Sequence, residues 1–292
     1  MIFENYYAYR VGLWLINNLP RDFVYFVVGA LAELNFYFNG RSRRGVYANL
    51  DRVLPPGTGR MQRWRMARAI FRNFAYTVVD FFHIPSLSRA NLNRYLAEFK
   101  GLEHIHNATA AGCGGILVTV HMGSWELGGA CAGLLGIPLT VVALKHKDPR
   151  VEKLFVATRE AGGMEVVPLG GALAKLREAL TRGRFIALVS DRDVKGTGLR
   201  LPFFGQPTRV PTGHAKLALN TGAWILPAAN YRLPDNRIVI EIREPIIPDP
   251  NTDTEESLTQ RTLVVLEEFI RSHPDQWLSF FNLWSETELP VA

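Results

Sequence analysis

At 292 residues the chain is long enough to bury a substantial core, and it is expected to form one large α/β domain with an N-terminal appendage. Hydrophobic residues at 48% against 21% charged exclude a long disordered region. A formal net charge of +6 points to an anionic partner, whether nucleic acid, anionic lipid or a phosphorylated substrate. Two cysteines without C-x-x-C spacing, Cys113 and Cys131, support neither a disulfide framework nor a zinc site, and fit a reducing cytoplasm.

Two apolar stretches open the chain, residues 11–19 and 23–34, divided by Pro20-Arg21-Asp22 and with Glu33 inside the second. Neither reaches the ~20 uninterrupted apolar residues a spanning helix needs, and the start lacks the basic segment and small-residue site of a cleaved signal peptide. Aromatic residues crowd this region (Trp14, Phe23, Tyr25, Phe26, Phe36, Tyr37 and Phe38 among them), and Arg41, Arg43 and Arg44 follow directly. Such rings favour the membrane–water interface, and arginines meet anionic head groups. Residues 1–40 are therefore expected to form a monotopic helical hairpin lying in a bilayer surface, with residues 41–292 forming the α/β domain. A pair of buried helices covering the core is the competing reading.

Residues 60–82 carry Trp64, Ala67, Ile70, Phe71, Phe74, Val78 and Phe81 at helical spacing, decorated by Arg60, Arg63, Arg65, Arg68 and Arg72. That basic face suits solvent or lipid equally. Ile84-Pro85 ends the helix. A short helix over 86–96, a strand near 95–100 and a helix over 101–111 are expected next; His104 and His106 in the last lack neighbouring metal ligands.

The chain is organised around residues 114–126, GGILVTVHMGSWE. Residues 116–120 read as a buried β-branched strand that stops at His121, with Gly123 and Ser124 turning into a helix. A strand's carboxyl end is where open α/β sheets place their ligand crevices. Glu126 lies close enough to fold back toward the imidazole, and a histidine polarised by a carboxylate is a general base for a hydroxyl. The plain structural alternative is a packed histidine, a first-turn acid at the positive helix end, and Ser124 as its N-cap.

Beyond this block, segments alternate as in α/β folds: helix 128–135, strand 139–144, helix 151–161, strand 165–168, helix 172–181 and strand 185–189. The last ends at Asp191-Arg192-Asp193, on the same expected rim as His121, before a basic glycine loop at 195–198. An extended segment over 199–204, a helix over 213–221, strands over 223–230 and 238–242 and a helix over 253–272 complete the reading. Arg159 stands near a helix end before Gly162-Gly163, where it suits the dipole or clamps a phosphate. The glycines at 112–115 precede their strand, so a dinucleotide fingerprint fails; no P-loop or G-x-S-x-G motif is present, and no nucleic-acid module supports the basic charge.

His121-Met-Gly-Ser-Trp-Glu126 resembles the H-x4-(D/E) motif of the glycerolipid acyltransferase superfamily. HMGSWELGGA is most similar to the branch holding the lipid A late acyltransferases and the phosphatidylinositol mannoside acyltransferases. The resemblance continues in order through Arg159-Glu160-Ala-Gly-Gly-Met-Glu165, Ser190-Asp-Arg-Asp193, Pro202-Phe-Phe-Gly205 and Pro274-Asp-Gln-Trp277, with Arg44 and Asn49-Leu50 upstream. It implies a central mixed β-sheet flanked by helices and a thioester-dependent O-acyltransferase at the cytoplasmic face of a bacterial inner membrane. His121 would be the base and Glu126 its orienting carboxylate, with Ser124, Arg159, Asp191, Arg192 and Asp193 on the substrates.

The implied partners are a membrane glycolipid acceptor, acyl-CoA or an acyl carrier protein as donor, and an anionic membrane surface, with no metal, no further cofactor and no nucleic acid. The spacing around Arg159 and Asp191 is closer to the mannoside branch. A non-catalytic lipid-binding protein and an acyl thioesterase are the alternatives, and an intact base–carboxylate pair disfavours the first.

Overall fold

The computed structural model describes residues 5–112, 114–194 and 196–285. Asn5 accepts from the backbone of Tyr7 and Ala8 and starts α1, Tyr6–Asn18. Pro20 ends the link to α2, Arg21–Phe38. Asn39 then caps α3, Gly40–Val53, which precedes the long α4, Arg60–His83. The sequence reading found α4 to within a residue but contained no α3, whose buried positions include a glycine and an asparagine, Gly45 and Asn49, among Val46, Leu50 and Val53.

From there helices and strands alternate. β1 (Leu96–Lys100), α5 (Leu102–Ala110), β2 (Gly115–Thr119), α6 (Trp125–Leu134), β3 (Leu139–Ala143) and α7 (Pro149–Ala161) lead to β4 (Glu165–Pro168), α8 (Ala172–Thr181) and β5 (Phe185–Val189). β6 (Leu199–Phe203) and β7 (Gln206–Val210) form a separate antiparallel hairpin whose second strand the sequence reading lacked. α9 (Gly213–Thr221), β8 (Trp224–Arg232), β9 (Ile238–Ile242) and α10 (Glu255–Ser272) follow, then a 3-10 turn at Pro274–Gln276.

The main sheet has seven strands in the order β1-β9-β8-β2-β5-β3-β4. β2, β5, β3, β4 and β8 run parallel, while β8 and β9 are antiparallel and β1 follows β9, so the sheet is mixed as expected. β2 lies at the centre with all five residues buried, which is why it reads as one continuous apolar run. Ile116 and Val118 pack with Leu176 of α8, Leu217 of α9 and Leu266 of α10 on one face. Leu117 packs with Phe82 of α4, Ile105 of α5 and Ala130 of α6 on the other.

α2 lies along α4, burying Val24, Tyr25, Ala32 and Phe36. Its other side exposes Phe23, Phe26, Leu31, Leu34 and Phe38, and α1 exposes Tyr7, Val11 and Trp14; Phe26 and Phe38 are 73% and 81% exposed. No described helix is long and apolar enough to cross a membrane.

Asn49 ties α3 to the last described segment. Its buried amide donates to Ser279 O at 3.1 Å and Phe281 O at 2.8 Å, and its carbonyl accepts from Leu283 N at 3.1 Å. Asn49→Ala strands Ser279 O and Leu283 N, while Phe281 O keeps the Ser279 hydroxyl at 3.5 Å, and unsatisfied buried groups cost about 1–3 kcal/mol each. A loss of roughly 2–4 kcal/mol in urea unfolding is expected. An unchanged midpoint would show that solvent replaces the amide without cost.

Candidate active site

The site is assembled by strand register. β2 and β5 pair in parallel with Thr119 opposite Val189, and Ser190 N donates to Thr119 O at 2.8 Å. The residues two steps further on, His121 and Asp191, are therefore side by side at the carboxyl edge although 70 positions apart. His121 Nδ1 lies 2.6 Å from Asp191 Oδ1. The imidazole remains 24% exposed while Asp191 is sealed. The ring also meets the Trp125 indole edge-on, centroids 5.0 Å apart.

Asp191 is a buried carboxylate with its acceptor sites used. Oδ2 accepts from the Trp277 indole N–H at 2.8 Å and from His121 N at 3.3 Å, and Arg192 Nε stands 4.0 Å away. Burial pushes its pKa up, but His121, with its charge and hydrogen bond, then Arg192 and Trp277, more than reverse this and hold it below the usual carboxylate range. His121 is held below its ordinary value by burial and by Arg192, against the pull of Asp191. An ionised Asp191 accepting from Nδ1–H leaves a neutral imidazole whose Nε2 is the basic nitrogen.

Glu126 does not turn back onto His121. In the first turn of α6 it meets Arg159 of α7 through a forked pair, Nη2 to Oε1 at 2.7 Å and Nε to Oε2 at 3.0 Å. Arg159 sits over the Phe81 and Phe155 rings, so the pair is walled by aromatics. A planar guanidinium that takes both carboxylate oxygens outcompetes a single ring nitrogen. The carboxylate that lies against the imidazole is Asp191.

The other expected site residues divide. Arg192 donates from Nη2 to Leu278 O and lies over the Phe281 ring, with its buried Nε making no hydrogen bond. Burial pulls its pKa down while Asp191 pushes it up. Asp193 accepts from Gly198 N at 2.6 Å, shaping the loop into β6. Ser124 occupies the N-cap position of α6 but makes no cap bond; its hydroxyl is buried and unpartnered, shut off from the crevice. Cys113 and Lys195 lie outside the described residues. Cys131 is buried, its thiol pushed up to about 12 by burial and then by Asp80, which makes it a poor nucleophile.

The turn that presents His121 is clamped. Leu278 N donates to His121 O at 2.7 Å, and Gly123 N donates to Gln276 O at 3.0 Å. Gly123 has φ +54, and a Cβ there would fall 2.2 Å from Asn230 O, so only glycine fits. In the sequence Trp277 is visible only as part of a motif; its indole bond to Asp191 exists only in the fold. Among the described residues no cluster of histidine, cysteine, aspartate or glutamate is arranged to hold a metal ion.

The profile of bacterial lipid A biosynthesis acyltransferases matches residues 2–286. The chain belongs to that family. It is 37% identical over 153 residues to a phosphatidylinositol mannoside acyltransferase of Mycobacterium tuberculosis, a match covering 51% of this chain and about half, 48%, of that protein. The Mycolicibacterium smegmatis protein of the same name is 32% identical over 226 residues, 75% of this chain and 72% of its own. The lipid A biosynthesis lauroyltransferase of Escherichia coli is 24% identical over 268 residues, 91% of this chain and 86% of its own. The family drawn from the five sequence blocks is therefore the right one.

One further histidine of this family member lies toward the same edge. β8 is parallel to β2 and follows α9 directly, so α9 runs back along the sheet and its first turn reaches the carboxyl edge. His214 in that turn is buried with both ring nitrogens unpartnered, and burial lowers its pKa to about 4 from 6.5. The unfolded chain takes up this proton first, so the neutral folded form loses stability as pH falls from 6.5 toward 4. At 1.36 kcal/mol per unit that loss is about 3 kcal/mol. His214→Phe should abolish this part of the acid slope in unfolding measured at pH 7 and pH 4.5; an equal slope in both proteins would assign the acid sensitivity elsewhere.

Proposed function

We propose that this chain transfers a fatty acyl group from an acyl thioester, acyl-CoA or acyl carrier protein, to a hydroxyl of a membrane glycolipid. The favoured acceptor is a phosphatidylinositol mannoside, the class named in the two mycobacterial relatives, with a lipid A precursor second. The observation that carries the reading is the 2.6 Å pairing of a partly exposed His121 with a sealed Asp191.

His121 Nε2 accepts the acceptor's hydroxyl proton while the Asp191 carboxylate fixes the tautomer and stabilises the imidazolium. The acceptor oxygen attacks the thioester carbonyl, and the carbonyl electron pair moves onto oxygen. Free N–H groups at the start of α6, which Ser124 leaves uncapped, or the Arg192 guanidinium face that charge. The C–S bond then breaks, and the leaving thiolate takes the proton back from His121. Glu126 and Arg159 hold the first turn of α6 against α7, so their part is to shape the wall beside the base.

His121→Ala should lower turnover by about 10²–10⁴-fold with the fold intact. Asp191→Asn should come close to it, and Glu126→Gln should fall short of both. Normal turnover in purified His121→Ala would remove the assignment. Because the imidazole is held below 6.5, the acid limb of kcat/KM should lie below that value.

Residues 1–40 serve in this reading as a peripheral anchor at the membrane's cytoplasmic face. Their exposed aromatic face adjoins Arg41, Arg43 and Arg44, and basic residues near an anionic surface contribute roughly 1 kcal/mol each. The full chain should bind vesicles containing phosphatidylglycerol and come off partly in high salt. Resistance to both salt and alkaline extraction would contradict a peripheral attachment.

A further inference from the structure

A deeply buried ionic cluster outside the site lies between α2, α4 and the end of β8. The Tyr25 hydroxyl donates to Asp80 Oδ1, and Arg232 Nη2 donates to Asp80 Oδ2. Arg21 Nη2 donates to the same hydroxyl at 3.0 Å, and Arg232 Nη1 reaches it at 3.4 Å. Tyr25, Asp80 and Arg232 are all buried. A sealed carboxylate is costly unless paired, so these groups are bound to one geometry. The tyrosine sits on α2 directly beneath the exposed aromatic face.

From Arg232 the bonding runs on to the catalytic turn. The Gln276 amide takes both backbone groups of Arg232, accepting from its N at 2.7 Å and donating to its O at 2.9 Å. Gln276 O in turn accepts from Gly123 N, and the two residues that follow Gln276 hold the site itself. Trp277 donates to Asp191, and Leu278 N donates to His121 O. A second route leaves Asp80 along α4. Thr77 Oγ1 donates to Gly123 O at 2.7 Å, and Asn73 Nδ2 donates to Asp275 O at 2.9 Å. The turn carrying His121 is gripped from both sides by elements pinned to α2 through one carboxylate.

We propose that Tyr25, Asp80 and Arg232 are positioning residues for the His121–Asp191 pair, forming a buried lock through which the seating of α2 sets the geometry of residues 121–123. The proposal rests on the acyl-transfer reading of that pair. Without the Tyr25 hydroxyl, Arg21 and Arg232 lose a shared acceptor and Asp80 loses a donor. The guanidinium of Arg232 then shifts toward Asp80, and Gln276, bonded to the Arg232 backbone, moves with it. A base and its orienter must be held within about 0.5 Å of productive geometry, so small shifts there are felt in the chemical step. The N-terminal hairpin is on this view part of the catalytic architecture as well as an anchor. A contiguous chain of bonds is a route for coupling only if loosening one end moves the other.

The test uses the full chain with Tyr25→Phe, which removes one oxygen and keeps the ring packed edge-on against Tyr76. A long-chain acyl-CoA and detergent-dispersed phosphatidylinositol mannoside are the substrates, and phosphatidylcholine–phosphatidylglycerol vesicles report membrane binding. The expected result is a kcat lowered by about 10- to 10²-fold with donor KM within about twofold, and vesicle binding as in wild type. In nitrogen NMR of the histidine rings, the His121 signal, assigned by its loss in His121→Ala, should move or broaden. Wild-type kcat, or a kcat that falls only in proportion to unfolded protein, overturns the lock. An unmoved His121 signal does so as well. If Tyr25→Phe does not fold, Arg232→Lys is read by the same measurements, since it keeps a cation at Asp80 and drops the fork that reaches Tyr25. Should wild type transfer no acyl group, the acyl-transfer reading falls, and the His121 signal alone decides the coupling.

Discussion

The structure depends on a carboxylate sealed from solvent. Asp191 sits at the end of a central strand, fully buried, where an unpaired charge would cost several kcal/mol. It is tolerated because a ring nitrogen, a backbone N–H and an indole N–H point at it and a guanidinium stands nearby. The ring nitrogen and the backbone N–H both belong to His121 after β2, and the indole to Trp277 after α10. β2 must be in register with β5, the segment after α10 must return across the sheet, and the turn at Gly123 must pass against Asn230. The requirement of one buried charge thus fixes much of the tertiary arrangement around it.

α4 is where this arrangement meets the N-terminal helices. One side of it carries Asp80 and the packing of α2, and the same helix sends Thr77 and Asn73 to the turn at Gly123 and to the 3-10 segment. Apolar burial and directed hydrogen bonds therefore coincide on one helix. Opposite, Glu126 and Arg159 join α6 to α7 beneath Phe81 and Phe155. The imidazole is left between two rigid walls. A ring held this way needs little reorganisation for any charge that develops on it, which is the physical advantage of preorganised sites.

Local pattern revealed most of the elements in the sequence. The β-branched run before His121 is a strand because such side chains fill a sheet buried on both faces, and 60–82 is a helix because its apolar residues recur every three or four positions. α3 escaped because Gly45 and Asn49 share its buried face, which breaks the apolar rhythm that identifies a helix. β7 escaped because its alternation, Thr208 and Val210 in and Gln206, Pro207 and Arg209 out, is short and contains a proline.

The sequence by itself determined the family, the strand-end placement of His121 and the set of charged residues on its rim, because those are properties of contiguous residues. Only the tertiary structure decided which carboxylate lies against the histidine. Glu126 is the neighbour along the chain, but Arg159 offers it two parallel hydrogen bonds from the next helix. Asp191 is remote along the chain, yet a parallel register brings it to the ring, and Trp277 fixes it there. Spacing in sequence measures how far a backbone can turn, whereas pairing in a buried site is settled by which partners satisfy the most lone pairs, and that competition exists only once the sheet has formed.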